Sequence, residues 1–254
     1  MGSFGHFPLT LRFITQFYVE PSNVTGDLLL LTGEEARHAV QVLRHKKGDR
    51  IVASDGLGKS YDAEILSASS KQVEGRILNS ETGKNEPKVE LTLAVGLTKG
   101  EKLDWLVEKA TEMGVFAIWP YFARYSEVKW DRKQVEKNIA RWQRIALAAF
   151  KQCGRSVIPK MEILKNLAEV VNRKGNRELL AAHPVESGAS ILNSGSLGQE
   201  VIAAVGPEGG LAPEEVEAIR QAGGRFVSLG PRRLRTETAG LVLATRVLVL
   251  KEEL

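Results

Sequence analysis

Val205-Gly-Pro-Glu-Gly-Gly210 and Leu229-Gly-Pro-Arg-Arg-Leu-Arg-Thr-Glu-Thr-Ala-Gly240 decide the reading of this chain. Each is a Gly/Pro-rich loop that follows a short apolar run, and the second leads straight into a helical pattern. Glycine lets backbone approach a ligand closely, and a loop at a helix start presents bare N–H groups. The second loop also carries Arg232, Arg233 and Arg235 beside Glu237. So much charge beside a backbone cradle points to binding or chemistry rather than to packing alone.

The same alternation extends outward from these loops. Val89–Leu97, 115–122, 178–182, 200–205 and 225–229 read as strands. Between and after them, 102–113, 131–152, 213–222 and 236–251 read as helices, with Leu103, Leu106, Val107, Ala110 and Met113 on one face of the first. Strands alternating with helices predict an α/β domain with a mostly parallel sheet covered on both faces. Ligands of such sheets sit where loops leave the carboxyl ends of strands. His183-Pro184, Gly206–Gly210 and Leu229–Arg235 all fall there. Pro213 followed by two glutamates is a good helix start, and Thr236 is a candidate cap for the last helix.

Upstream the pattern differs. Runs at 13–19, 50–53, 61–66 and 73–78 read as short strands, interrupted by one helix over Gly33–Arg44. A small β-barrel with a helix plugging one end is expected, and polar 80–87 reads as the linker. The domains are therefore 1–85 and 86–254. Ala53-Ser-Asp-Gly-Leu-Gly-Lys-Ser60 nearly spells a phosphate-binding loop. The alternating Tyr61-Asp-Ala-Glu-Ile-Leu66 that follows is strand-like, where a phosphate loop needs a helix, so a hairpin turn is expected.

The chain has 254 residues, 43% hydrophobic and 26% charged, ordinary for a globular protein. One cysteine, Cys153, excludes a disulfide framework and a four-cysteine zinc site and suggests a reducing compartment. No metal-ligand spacing, no nucleophile elbow, no secretory pattern and no membrane-spanning run is evident, so a cytoplasmic protein without a metal is expected. Net charge is +4 but uneven: residues 124–160 hold ten basic and three acidic side chains. In helix 131–152, Lys133, Lys137, Arg141, Arg144 and Lys151 form a basic stripe opposite Val135, Ile139, Trp142, Ala146 and Ala149. Such a stripe is either a solvated helix face or a track for a polyanion. Gln152 and Arg155 are the more specific candidates for RNA, since they lie at a Gly-containing turn. His183 alone is more often structural than catalytic.

Taken with Leu106-Val-Glu-Lys-Ala-Thr-Glu-Met-Gly-Val115, His38-Ala-Val-Gln-Val-Leu-Arg44 and the Arg141–Arg155 region, the two C-terminal motifs resemble the RsmE-type 16S rRNA (uracil-N3) methyltransferases. The resemblance runs from about residue 12 to the end. It implies an N-terminal PUA-like barrel, a C-terminal SPOUT domain whose end is threaded into a trefoil knot, a homodimer, and S-adenosyl-L-methionine as methyl donor. Cys153 stands where that family usually has Ser. By the same resemblance the cofactor contacts three loops: Leu180, His183 and Pro184; Gly206, Pro207, Glu208, Gly209 and Gly210; and Leu229, Gly230, Leu234, Arg235, Thr236 and Thr238.

Uracil N3–H is weakly acidic, so its methylation requires a base or a group that stabilises the anion. Arg235 is the expected stabiliser. Glu237 or Glu208 either orients that arginine or acts as base, and the sequence does not choose. Arg12, Arg37, His38 and Arg44 of the barrel, with Arg141, Arg144, Gln152 and Arg155, are the expected RNA contacts. The expected partner is 16S rRNA of the small ribosomal subunit. Two competing readings are a non-catalytic RNA-binding protein and a tRNA methylase with a related knot.

Overall fold

The computed structural model describes residues 15–184 and 197–254. The chain divides into two compact units, Met1–Lys84 and Asn85–Leu254. Arg12 therefore lies outside the described residues.

In the first unit, β1 (Gln16–Tyr18), β2 (Val24–Thr25), β3 (Leu28–Thr32), β4 (Arg50–Ser54), β5 (Lys59–Ala68) and β6 (Gln72–Thr82) form one sheet, in the order β1-β4-β5-β6-β3-β2. Only β1 and β4 pair in parallel. Helix α1 (Gly33–Arg37) continues as a π-helical turn, His38–Val42. It buries Ala36 and Ala39 among Phe17, Leu29, Leu31, Ile51 and Ile65. The phosphate-loop lookalike is a hairpin turn between antiparallel β4 and β5. The Asp55 carboxylate accepts from the N–H groups of Leu57 and Lys59, holding it shut. Residues 80–87 are not all linker, because β6 continues to Thr82, paired with Lys59–Tyr61.

The second unit contains β7 (Glu90–Gly96), β8 (Ala117–Tyr121), β9 (Lys160–Met161), β10 (Glu178–Ala182), β11 (Glu200–Val205) and β12 (Arg225–Val227). They form a wholly parallel sheet ordered β12-β10-β11-β7-β8-β9. Its faces are divided by the two-residue period of a strand. Leu91, Leu93 and Val95 of β7 and Val201, Ala203 and Val205 of β11 point to one core. That core is closed by α2 (Lys102–Glu112), α3 (Arg132–Cys153) and α6 (Thr236–Leu250). Ala94, Ile202, Ala204, Leu179 and Ala181 point to the other, against α4 (Leu167–Asn172) and α5 (Pro213–Gln221). Burial on both faces explains why these strands read as continuous apolar runs.

The helix ends follow local chemistry. Asp131 accepts from Gln134 N–H while the Gln134 side chain accepts from Asp131 N–H, a reciprocal cap that starts α3. Gly154, with φ of 75°, ends it. Glu215, buried, accepts from Ala212 and Arg124 N–H and pins the start of α5. Thr236 is not the cap expected of it. Arg235 occupies the cap position of α6, no side chain caps it, and Thr236 is the first helical residue.

Candidate active site

Strand register brings the predicted loops together. Ala182 is opposite both Val205 and Val227, and Val205 is opposite Val95. The segments after β10, β11, β12 and β7 thus leave the sheet along one edge, side by side.

The loop after β11 is a tight turn in which Gly210 N–H donates to Pro207 C=O at 2.8 Å. A methyl group on Gly206 would lie 2.8 Å from the carbonyl carbon of Gly210, and one on Gly96 would lie 2.5 Å from Pro207 N. Only glycine lets these backbones meet. The loop after β12 is tied to it, since Arg233 donates to Glu208 C=O at 3.1 Å. Within that loop, Gly230 N–H donates to Ser228 Oγ and Arg246 donates to Ser228 C=O. Leu180 is fully buried within β10, so a ligand can meet only its backbone. Leu229 and Leu234 are half-buried against the core, and Pro184 is exposed.

His183 directly follows β10. Its N–H donates to Val227 C=O, and its ring packs on Phe226 with centroids 5.6 Å apart. Burial, with a smaller contribution from Arg220, holds its pKa below the usual value. That environment favours the neutral imidazole.

The carboxylates differ sharply. Glu208 is exposed and paired with Lys102, Nζ to Oε1 at 2.5 Å. Glu237 is 9% exposed, and its Oε2 has no hydrogen-bond donor among the described residues. Thr236 Oγ1 and Thr98 Oγ1 are likewise buried without a partner among them. Buried polar groups are normally satisfied, so the unpaired Glu237 oxygen, on a residue that lines a cleft, is available to a bound group. Arg235 is exposed, with no ion-pair partner among the described residues. Lys102, Trp105, Arg233, Leu234, Arg235, Glu237 and Thr238 line a cleft of about 510 Å³.

Lys102 and Trp105 were absent from the sequence candidates. A clue was available for the lysine, because a cation in the first turn of a helix opposes the helix dipole and needs another partner.

The predicted RNA contacts are less uniform. Arg37 and Arg44 are exposed, whereas the His38 ring packs on Phe17. Arg141 is paired with Glu101 and Asp104, Arg144 turns onto its own helix at Ala140 C=O, and Gln152 is exposed. Arg155 is a correction. It is 2% exposed, donates to Thr111 and Val115 C=O, and forks onto Glu86 at 2.6–3.2 Å. Glu86 in turn accepts from Ser156 and Val157 N–H. The guanidinium is therefore an internal clamp. Cys153 is half-buried, burial raises its thiol pKa, and its Sγ contacts Phe150 C=O. Among the described residues no metal-ligating cluster is present.

Comparisons with known proteins agree with this geometry. Residues 84–248 match the family described as RNA methyltransferase domain, and residues 31–78 match RNA methyltransferase PUA domain. The chain is 33% identical to ribosomal RNA small subunit methyltransferase E of Bacillus subtilis over 219 residues, covering 83% of this chain and 86% of that one. Identity to the Mycobacterium bovis protein of the same name is 30% over 241 residues, 92% and 91% of the two chains. The structure of that methyltransferase from Neisseria gonorrhoeae bound to S-adenosyl methionine superposes with a TM-score of 0.82 at 28% identity, covering 93% of this chain and 98% of that chain. The chain therefore belongs to the RNA methyltransferase family that includes ribosomal RNA small subunit methyltransferase E.

Proposed function

We propose that this protein methylates N3 of a uridine in 16S rRNA of the small ribosomal subunit, using S-adenosylmethionine. The observation that carries the reading is the convergence of three ligand-ready loops beside exposed Arg235 and the orphaned Glu237 carboxylate, in a chain of this family. The glycine cradle at 206–210, the segment Leu180–Pro184 and the backbone of Leu229–Thr238 would hold the cofactor. When bound, it supplies an electrophilic methyl on sulfur. Arg235 stabilises the charge that develops on the uracil, a role for a preorganised cation in a partly dry site. A carboxylate at the cleft holds the N3 proton, and the walls keep the base oriented.

Exposed Arg37 and Arg44 of the first unit are cations for RNA phosphates, and in the second unit exposed Lys133 and Lys137 of α3 are others. A homodimer fits the character of α6, which is apolar nearly all round and leaves Val249 about half exposed. The return of α6 across central β7 and β11 after edge strand β12 is in keeping with a knotted C-terminus. No helix among the described residues is long and apolar enough to cross a membrane. The cytoplasm, where ribosomes are made, is the expected location.

Labelled-methyl transfer to small subunits from a strain lacking this modification tests the proposal. The expected product is 3-methyluridine at one position. Incorporation into tRNA instead, or none despite cofactor binding, would sink it.

A further inference from the structure

The cleft lined by Lys102, Trp105, Arg235 and Glu237 has features that cofactor binding by the loops does not require. Its volume of about 510 Å³ lies within the range of small-ligand pockets, about 300–1,000 Å³. Trp105 is 47% exposed, although it stands on a helix whose other apolar residues, Leu103, Leu106, Val107 and Ala110, are buried. A large exposed aromatic face in a cleft is a stacking platform, and every base has a π-face to place on it. In the same cleft, Glu237 is nine-tenths buried and keeps an oxygen without a donor among the described residues. The lining also holds two cations: Arg235 is exposed, and Lys102 spends one of its three N–H donors on Glu208.

The hydrogen-bonding edge of uracil reads acceptor, donor, acceptor: O2, N3–H, O4. The lining of the cleft contains the complementary groups, two cationic donors and one carboxylate acceptor. We propose that these four residues are the target-base subsite, with Trp105 stacking the uracil, Glu237 accepting from N3–H, and Lys102 and Arg235 donating to the two carbonyl oxygens. This rests on the proposed uracil-N3 activity and adds the residues that select the base. Cytosine is rejected because its N3 is a bare lone pair that would face the carboxylate, leaving Glu237 buried and unsatisfied. Glu237, rather than Glu208, is then the group positioned to take the N3 proton, because Glu208 is exposed and committed to Lys102. Trp105 and Lys102 are specificity residues that touch the base.

The test titrates the full-length protein with uridine 5′-monophosphate by calorimetry, which requires neither cofactor nor ribosome. Wild-type protein should show saturable binding, with cytidine and 3-methyluridine monophosphates at least about tenfold weaker, since both lack the N3–H. Trp105→Ala should weaken uridine monophosphate about tenfold or more, the loss expected for one stacked base, and Trp105→Phe should restore most of it. On unmodified small subunits, Trp105→Ala should lower kcat/KM while Trp105→Phe keeps it, with unchanged thermal melting and sedimentation. The subsite is overturned if wild-type protein does not discriminate uridine from cytidine. It is also overturned if Trp105→Ala leaves both nucleotide binding and methyl transfer intact, or changes only the sedimenting species. Failure of wild-type transfer to subunits would instead strike the proposed function.

Discussion

Arg155 and Arg235 look alike in sequence. Each is an arginine in a turn near glycine, beside a helix end, in the more basic half of the molecule. In the structure they are opposites. Arg155 is buried, and its guanidinium is spent on Glu86 and two backbone carbonyls at the junction of α2 and α3. Arg235 stands exposed at the start of α6, in the wall of a cleft. An arginine that is fully paired holds a fold, and one without an ion-pair partner among the described residues, in a cleft that also holds a carboxylate, is available to a ligand. Local sequence does not distinguish them, because the partner of Arg155 lies 69 residues away.

The contrast can be broken at either end. The largest effect is expected at the clamp. Glu86→Ala or Arg155→Ala leaves a buried charge uncompensated and should cost about 3–5 kcal/mol of stability. Denaturant unfolding measures it, and a loss below 1 kcal/mol would mean the pair is dispensable. Arg235→Ala should do the reverse. Methyl transfer should fall by about 10²–10³-fold, as for removal of one preorganised donor. Stability should stay within about 0.5 kcal/mol, and calorimetry should find cofactor affinity largely kept. Near-normal turnover would remove the proposed role.

A smaller effect is expected where the cradle meets β7. Gly96→Ala puts a methyl group 2.5 Å from Pro207 N, so backbone must shift, at a cost of about 1–3 kcal/mol. Thermal melting and cofactor titration should both register it, and unchanged cofactor affinity would separate the cradle from the site.

The smallest effect concerns pH. Burial lowers the pKa of His183 from its usual 6.5. Below 6.5 the unfolded chain binds a proton that the folded chain resists, so this contribution is present above pH 6.5 and is lost as pH falls toward the folded value. His183→Gln should flatten that part of the stability–pH curve. An unchanged slope between pH 5 and 6.5 would show that His183 does not titrate there.

Much of the second unit was legible because its signals are local. Continuous apolar runs at 178–182 and 200–205, helical spacing in 102–113, and Pro213 with two glutamates gave strands and helices whose bounds agree with the structure to within a residue or two. The misses also have physical causes. Leu28–Thr32 pairs with Gln72–Arg76 as a strand, yet four leucines in a row show no alternation that would mark one. Residue type favours Thr236 as a cap, yet the backbone places Arg235 there. The helical spacing puts Arg141 in a basic stripe, but Glu101 and Asp104 of the neighbouring segment reach it. Lys102 and Trp105 carry no sequence signal of their place in the cleft, because a helix face shows its neighbours only after folding.

The sequence by itself determined the strand and helix pattern of the second unit and the two glycine loops that expose backbone. Those follow from local conformational freedom and from periodicity, which need no distant partner. Only the tertiary structure decided which charges are spent and which are left over. It buried Arg155 against Glu86, paired Glu208 with Lys102, and left one Glu237 oxygen without a donor among the described residues, in the cleft that Trp105 and Arg235 also line. The reason is that hydrogen-bond satisfaction belongs to groups brought together by a parallel sheet from segments more than a hundred residues apart, such as Lys102 and Glu208.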